Sequence, residues 1–275
     1  MNGICFGMPT LIENRDLAEN VALCRELGLR FVELNMNFPE FQLDTLPSAQ
    51  ELERVKEENG VFFTLHLDEN MNAADFNPLV RSAYTETAVR VIALARDIHA
   101  PVINMHMNPG VYITLPDRKE YLYLRNRDTY MGHLRTFRDL CTEKIGNSDV
   151  KICVENTDGW RDFEREAVDM LLESPAFRLT WDIGHSKATG EKDLPFLAER
   201  EDRLYHFHIH DGRENPPKNH LALGDGEIPL EERLALAGKH GCRCVLETKT
   251  VQALRTSVKW LKARGYMGAE TAHCI

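Results

Sequence analysis

The sequence has no apolar run of the roughly 18 residues that a membrane-spanning helix requires. Its first residues, Met1-Asn-Gly-Ile-Cys-Phe6, also lack the basic region and following apolar stretch of an export signal. Both absences argue against a membrane-embedded or secreted protein. We therefore expect a cytoplasmic protein that does not bind membranes.

Basic residues are fewer than acidic ones, and the cysteines show no pattern that indicates disulfides or a metal site. The chain has 33 Lys and Arg against 43 Asp and Glu, which gives a net charge of −10. Such a balance opposes non-specific binding to nucleic acid, because that binding depends on neutralising phosphates. The seven cysteines are scattered and lack the spacing of a zinc site. We expect a small molecule as the binding partner and no nucleic acid, while a homo-oligomer stays open.

Short apolar segments alternate with longer amphipathic segments along the chain. Such alternation favours a parallel sheet with right-handed helical crossovers. An open, doubly wound sheet is the structural alternative, but no glycine-rich phosphate loop follows the first predicted strand. The length of 275 residues suits one barrel of about 250 residues, and no linker or change of composition divides it. We therefore predict an α/β fold, a single (β/α)8 TIM barrel domain over residues 1–275.

Seven of the eight predicted strands run into an ionisable side chain that could bind a metal. A charged group at the end of a buried strand costs several kcal/mol unless it is paired. Because a parallel barrel brings the C-terminal ends of its strands to one site, these side chains are predicted to converge there. They are Glu33, His66, His106, Glu155, Asp182, His208 and Glu247.

Four of these residues, on predicted strands five to eight, form a candidate metal site. Three carboxylates and one imidazole suit a hard or borderline divalent ion such as Mn2+, Mg2+, Co2+ or Zn2+. Burying four polar groups beside apolar strands needs a common partner, and a bound ion would be that partner. We therefore predict that one divalent metal ion is bound by Glu155, Asp182, His208 and Glu247.

Strand seven offers a choice of histidine, because His206, His208 and His210 alternate and so share one face. His206 would lie one step deeper in the packed barrel, and His210 is predicted to lie in the following loop. The sequence therefore favours His208 as the metal-binding member. The loop itself, residues 211–227, is long for a compact domain, and such loops are more often functional than idle.

Other residues are candidates for a second metal site or for substrate binding. His66 and His106 end consecutive predicted strands, which would bring both rings to one place. The motif Asp182-Ile-Gly-His185 puts an imidazole three residues after a carboxylate, and a turn between them would point both inward. Cations in the loop 211–227 could contact an anionic substrate, although a solvated loop explains them equally well. The candidates are His66, His106, His185, Arg213 and His220.

Several short motifs resemble those of the xylose-isomerase-like barrel superfamily, which contains sugar isomerases and epimerases together with endonuclease IV. The motifs are Val154-Glu-Asn156, Trp181-Asp-Ile-Gly-His185, His208-Ile-His-Asp211, Leu223-Gly-Asp-Gly226 and Leu246-Glu247, and the resemblance covers residues 33–247. In the sugar-acting members, two glutamates, an aspartate and a histidine in this order bind one divalent metal. The resemblance implies that role for Glu155, Asp182, His208 and Glu247.

The resemblance to endonuclease IV implies an alternative with more metal ions. That enzyme binds three zinc ions, and further ligands match His66, His106 and His185. An Asp-x-His motif completes its third zinc site, whereas the corresponding segment here is Lys218-Asn-His220. A cation replaces the aspartate, which argues against the trinuclear site. A dinuclear site stays open because His66 and His106 are retained.

We therefore expect a divalent-metal-dependent isomerase or epimerase of a small sugar, polyol or related hydroxy-carbonyl compound. It would work by proton transfer at a carbon next to a metal-chelated carbonyl, with Glu155 and Glu247 removing and returning the proton. The alternative is an endonuclease IV-like nuclease for apurinic/apyrimidinic sites, with a di- or trinuclear zinc site. A metal-free binding barrel is a third class, but it leaves the converging carboxylates unexplained.

Overall fold

Eight parallel strands close into a barrel in the computed structural model, which describes residues 4–267. Each strand pairs with the next one along the chain, and the eighth pairs with the first. The predicted (β/α)8 barrel is confirmed. In chain order the barrel strands are β1 Cys5–Pro9, β2 Phe31–Asn35, β3 Phe62–His66, β4 Val102–His106, β5 Lys151–Glu155, β6 Phe177–Asp182, β7 Leu204–Ile209 and β8 Arg243–Leu246.

Helices cover the outside of the barrel and connect its strands. The first begins after Asp16, whose carboxylate accepts the backbone N–H of Glu19, and ends at Gly28, where φ is 77°. Glycine adopts this left-handed conformation easily because it has no Cβ. The longer helices are Leu17–Leu27, Ala49–Asn59, Pro78–Asp97, Arg127–Ile145, Asp162–Leu172, Leu230–Lys239 and Val251–Ala263. The shorter α-helices are Leu122–Arg125, Ile183–Ala188 and Leu194–Ala198, with 3-10 turns at Pro39–Phe41 and Glu201–Arg203.

Two hairpins extend the loops at the C-terminal end of the barrel. Tyr112–Thr114 pairs with Lys119–Tyr121 after β4, and Asp211–Arg213 pairs with Lys218–Leu221 after β7. The second hairpin lies within the segment predicted as a long functional loop. Within residues 4–267, no helix is both long and apolar enough to cross a membrane.

The inside of the barrel changes from apolar to polar along its axis. Near the N-terminal ends of the strands, the rings of Phe31 and Phe62 stack at 5.0 Å in a buried cluster with Val245. Two residues further along β2 and β3, the same inward face carries Glu33 and Thr64, which are also buried. A layer of apolar side chains therefore lies directly below the polar side chains at the C-terminal end of the barrel.

Candidate metal centre

Four strand ends bring a buried cluster of carboxylates and one imidazole together. One ligand atom from each side chain lies within 4.8 Å of the others. Register explains the convergence, because Asp182 on β6 pairs with His208 on β7, and Glu155 on β5 pairs with Thr180 on β6. The members of this cluster, hereafter the four-residue cluster, are the predicted ligands Glu155, Asp182, His208 and Glu247.

His208 lies at the centre of the charges in this cluster. Its Nδ1 lies 3.1 Å from Glu155 Oε1 and 3.2 Å from Glu247 Oε2. Burial alone lowers the pKa of His208, but the surrounding carboxylates outweigh burial and raise it well above the usual value. Burial likewise acts to raise the pKa of Glu155 and of Glu247, yet the imidazolium and other cations hold both well below their usual range. The cluster is therefore an ionic assembly inside the protein.

Glu155 accepts a hydrogen bond from the side chain of Asn104, a residue that the sequence analysis missed. The side-chain NH2 of Asn104 donates to Glu155 Oε2, and the Thr180 hydroxyl donates to Asn104 Oδ1 at 2.5 Å. All three side chains are buried. Asn104 stands two residues before His106 and so shares its inward face, which is the sequence signal that could have identified it.

His66 and His106 both reach the same oxygen of Glu155. His106 Nε2 lies 3.1 Å from Glu155 Oε2, and His66 Nε2 lies 3.5 Å from it. The His66 Nδ1–H donates to the backbone carbonyl of Leu67 at 2.7 Å, which directs Nε2 towards the cluster. The structure therefore places both histidines beside the four-residue cluster, where they could bind a second metal or the substrate.

Glu33 and His206 form a second buried pair beneath the cluster. The sequence analysis counted Glu33 among the converging side chains but assigned neither residue to the predicted metal site. Glu33 Oε1 lies 2.8 Å from His208 Nε2, and Glu33 Oε2 lies 3.0 Å from His206 Nε2. Burial acts to raise the pKa of Glu33, but the two imidazoles lower it below its usual range. For His206, burial lowers the pKa and Glu33 offsets this only in part. The signal was present, because Glu33 is a carboxylate within an apolar strand and His206 shares the inward face of His208.

His210 lies just beyond the end of strand β7, as predicted, but its side chain belongs to the buried site. Strand β7 continues to Ile209, and His210 follows it directly as a fully buried side chain. Its Nε2 lies 3.0 Å from Asp182 Oδ2, while its Nδ1 accepts the backbone N–H of His220 at 2.7 Å. Space for the ring exists because residue 184 is glycine, where an added Cβ would lie 1.9 Å from the His210 ring. The sequence gave no sign of this burial, because apolar periodicity does not report the contacts of a residue beyond the end of a strand.

Two more predicted histidines lie at the rim of the same site. The His220 ring stacks on His210 with centroids 4.2 Å apart, and His185 lies 5.1 Å from His220. One nitrogen from each of these three rings lies within 4.8 Å of the other two. The structure therefore brings His185 and His220 together near Glu247, whose Oε1 is 3.8 Å from His220 Nε2.

Arg213 lies apart from this arrangement. Its side chain is exposed, and its guanidinium donates to the backbone carbonyl of Asp225 at 2.6 Å. The neighbouring Asp211 is instead buried and organises the loop. Its carboxylate accepts four backbone N–H groups at 2.9 to 3.2 Å, from Gly212, Gly224, Gly226 and Ile228. The loop that carries His220 is therefore fixed to the end of β7.

A cavity of about 450 Å³ opens above the four-residue cluster. Lys249 lies in its wall, and the Lys249 ammonium is 2.8 Å from Glu247 Oε1. A substrate in this cavity would contact both glutamates of the cluster and three imidazoles. The ionisable side chains that line the cavity beside the cluster include His106, Glu155, His185, His220, Glu247 and Lys249.

The chemistry of the four-residue cluster fits a divalent metal ion. It offers three carboxylates and one imidazole, a donor set that Mn2+, Zn2+, Co2+ and Mg2+ accept. Among the described residues, Glu247 Oε2 has no hydrogen-bond partner although it is buried. A buried carboxylate oxygen of this kind is costly unless something binds it. The cluster could therefore hold a metal ion, whose identity these residues do not fix.

Comparison with known proteins identifies similar barrels. A D-tagatose 3-epimerase-like protein is 20% identical, with a TM-score of 0.75 over 94% of this chain and 96% of that chain. The 3-keto-D-glucoside 4-epimerase from E. coli is 15% identical, with a TM-score of 0.74 over 94% and 99%. The IolI protein with a zinc atom is 13% identical, with a TM-score of 0.73 over 97% and 100%. At these identities, the likeness shows the fold.

The family assignment comes from the sequence itself. No curated protein sequence matches the chain significantly. Residues 21–264, however, match the family described as xylose isomerase-like TIM barrel. That range contains all eight strand ends except the first, and with them every residue of the four-residue cluster. The chain is therefore a member of the xylose isomerase-like TIM barrel family.

Proposed function

We propose that this protein is a divalent-metal-dependent isomerase or epimerase of a small sugar, polyol or related hydroxy-carbonyl compound. The observation that carries the proposal is the convergence of three carboxylates and one imidazole at the base of an open cavity. Sugar epimerases with the same fold support the substrate class. The proposed partner is a small molecule rather than a nucleic acid, in keeping with the net charge of −10.

Glu155, Asp182, His208 and Glu247 are the residues that would hold the metal. When bound, a divalent ion supplies Lewis-acid polarisation of a carbonyl and its adjacent hydroxyl. The protein contributes the orientation of its ligands, since Asn104 fixes one oxygen of Glu155 and His210 contacts one oxygen of Asp182. Such outer contacts keep the ligands in place before the substrate arrives.

Glu155 and Glu247 are the residues that would move protons. Both carboxylates lie within 3.2 Å of the same nitrogen, His208 Nδ1, and both line the cavity. The lowered pKa of each keeps it ionised, as a base requires. One glutamate would remove a proton from the carbon next to the substrate carbonyl. The other would take up a proton from a substrate hydroxyl or from solvent in the cavity and return it to that carbon, and exchange with solvent would then reset both carboxylates. Reprotonation on the opposite face gives an epimer, and protonation at the neighbouring carbon gives an isomer.

Turnover in D2O tests this proposal. Ketohexoses such as D-tagatose are the first substrates to try, with Mn2+, Co2+ or Zn2+ supplied. We expect deuterium at the carbon that loses its proton, and we expect Glu155→Gln and Glu247→Gln each to lower the exchange rate by about 10²-fold or more. Glu164→Gln is a matched control, because Glu164 is a buried glutamate on an outer helix, paired with Arg161. Full conversion without deuterium would contradict proton transfer and indicate a hydride shift.

A nuclease for apurinic/apyrimidinic sites is the second candidate, and one observation favours it. His66 and His106 approach the same oxygen of Glu155, so a second metal could be held between them. Against it, Lys218 is exposed in the hairpin, where endonuclease IV would need an aspartate. We expect little or no incision of a duplex with an abasic site at low salt. Multiple-turnover incision that Glu155→Gln abolishes would reverse this ranking.

A further inference from the structure

His208 has a carboxylate on each side of its ring. On one side, Nδ1 faces Glu155 Oε1 and Glu247 Oε2, which belong to the four-residue cluster. On the other side, Nε2 lies 2.8 Å from Glu33 Oε1, an oxygen outside that cluster, as an ion pair whose angle falls short of a hydrogen bond. The imidazole, fully buried on β7, therefore spans the distance between the candidate metal site and a deeper carboxylate.

Glu33 is itself fixed from two directions. The Thr64 hydroxyl donates to Glu33 Oε2 at 3.0 Å, and His206 Nε2 lies 3.0 Å from the same oxygen. Both contacts occupy Oε2, which leaves Oε1 to face His208. The three strands that supply these side chains place all of them in the buried interior of the barrel. The carboxylate therefore has one orientation, and that orientation is set by its neighbours.

A neutral imidazole has one N–H and one lone pair, so a partner that accepts from one nitrogen determines which nitrogen can bind a metal. A carboxylate or carbonyl in this position is the usual way in which proteins orient a metal-binding histidine. We propose that Glu33 is a positioning residue whose charge, 2.8 Å from Nε2, favours the His208 tautomer protonated at Nε2 and thereby presents Nδ1 to the metal. This inference rests on the proposed metal site.

The same geometry also defines a competing arrangement. Ligand atoms of Glu33, His206 and His208 lie within 4.8 Å of one another, so these three residues could themselves hold an ion. In that case His208 Nε2 would be a ligand and would carry no proton. The two arrangements differ in the number of metal ions per chain and in the presence of a ring N–H on His208.

Titration of the full-length, metal-depleted chain with Co2+ separates these possibilities. We expect Glu33→Gln to keep the barrel, as judged by circular dichroism, and to weaken Co2+ binding by about 10- to 100-fold, the usual effect of losing such a partner. Glu164→Gln, which removes a buried carboxylate paired with Arg161 on an outer helix, should bind Co2+ as the wild type does. Affinity for Co2+ in Glu33→Gln equal to the wild type would overturn the inference.

A spectroscopic signal provides a second measurement. If Glu33 had only a structural role, substituting it would leave this signal unchanged. The Co2+-loaded wild type should show a hyperfine-shifted ring N–H proton in H2O that disappears in D2O, and Glu33→Gln should lose it or exchange it faster. If Glu33→Gln does not fold, Thr64→Val removes only the hydroxyl that holds Oε2. Faster exchange of the N–H in that variant supports the inference, and an unchanged exchange rate and affinity overturn it.

The stoichiometry distinguishes failure of this inference from failure of the proposed function. If the wild-type chain binds no Co2+, the metal site itself is wrong. If it binds one equivalent and Glu33→Gln binds as tightly, only the positioning role is wrong. A second equivalent that His206→Gln removes would show that Glu33, His206 and His208 form their own metal site, and it would also overturn the positioning role.

Discussion

The two ends of the barrel both open onto cavities with charged walls, yet the charges are balanced differently. At the N-terminal end, a cavity of about 1070 Å³ is lined by residues that include Lys56, Arg96, Lys151 and Arg243. Arg96 donates to the backbone carbonyl of Lys144. Lys56 donates to the backbone carbonyl of Ile98 and also pairs with Glu53 at 3.0 Å. None of the four is buried. This end is larger, but its four cations are all at least partly open to solvent.

At the C-terminal end, the cavity is less than half as large, and its charged groups are buried against one another. Carboxylates and imidazoles there have few partners except each other, and among the described residues Glu247 Oε2 makes no hydrogen bond although it lies 3.2 Å from His208 Nδ1. Charges buried in this way are stable only with close compensation. The comparison teaches that the burial and mutual dependence of charges identify a site better than the volume of a cavity does.

Strand β5 allows the largest test of this comparison, because it carries a charge at each end. Glu155→Gln at the C-terminal end should abolish stoichiometric metal binding and lower turnover by about 10²- to 10⁴-fold, since it removes both a ligand and a base. Lys151→Met at the N-terminal end should leave both unchanged. Elemental analysis of chelator-free preparations and steady-state kinetics measure the effects. Equal losses in the two variants would break the distinction between the two ends.

Metal-dependent stability should show the next largest difference. A metal that binds only the folded chain, present at 100 times its Kd, should add about 2.7 kcal/mol to the free energy of unfolding. For a chain of this size, the Tm should rise by roughly 5 to 10 °C, as measured by differential scanning calorimetry with and without chelator. Lys151→Met should show the same rise. A rise that persists in Glu155→Gln would mean that the metal binds elsewhere.

Asp211 tests whether the loop at the C-terminal end must be fixed. Asp211→Asn should destabilise the fold by about 1.5 to 3 kcal/mol, because a charged acceptor of backbone N–H groups is lost. Metal binding should persist, since the four-residue cluster lies on strands. The value of kcat/KM should fall, because His220 is carried by the loop that Asp211 holds. Unchanged kcat/KM in a destabilised variant would show that the position of His220 does not matter for turnover.

The smallest effect is expected at Arg213. Its guanidinium is exposed and bonded to a backbone carbonyl, so Arg213→Met should change the free energy of unfolding by no more than about 0.5 kcal/mol. We also expect kcat/KM to stay close to the wild-type value for a neutral sugar. A large rise in KM restricted to an anionic substrate would instead restore Arg213 as a substrate-binding residue.

The sequence predicted the barrel and the approach of the four-residue cluster for one physical reason. Each member stands at the end of a short apolar segment, and parallel topology brings such ends together. The contacts beneath the cluster could not be predicted in this way, because the approach of Glu33 to His208 or of Asn104 to Glu155 depends on register between strands distant in sequence. The burial of His210 and its contact with Asp182 were not predicted either, because apolar periodicity carries no information about residues beyond the end of a strand.

Gly184 has a consequence for how this sequence can change over evolutionary time. The missing side chain at this position leaves the space that the His210 ring occupies. A homologue with alanine at position 184 would have to carry a smaller residue at position 210, and it would then lose the contact with Asp182. The two positions should therefore covary among relatives, and a library that randomises one without the other should yield few metal-binding variants.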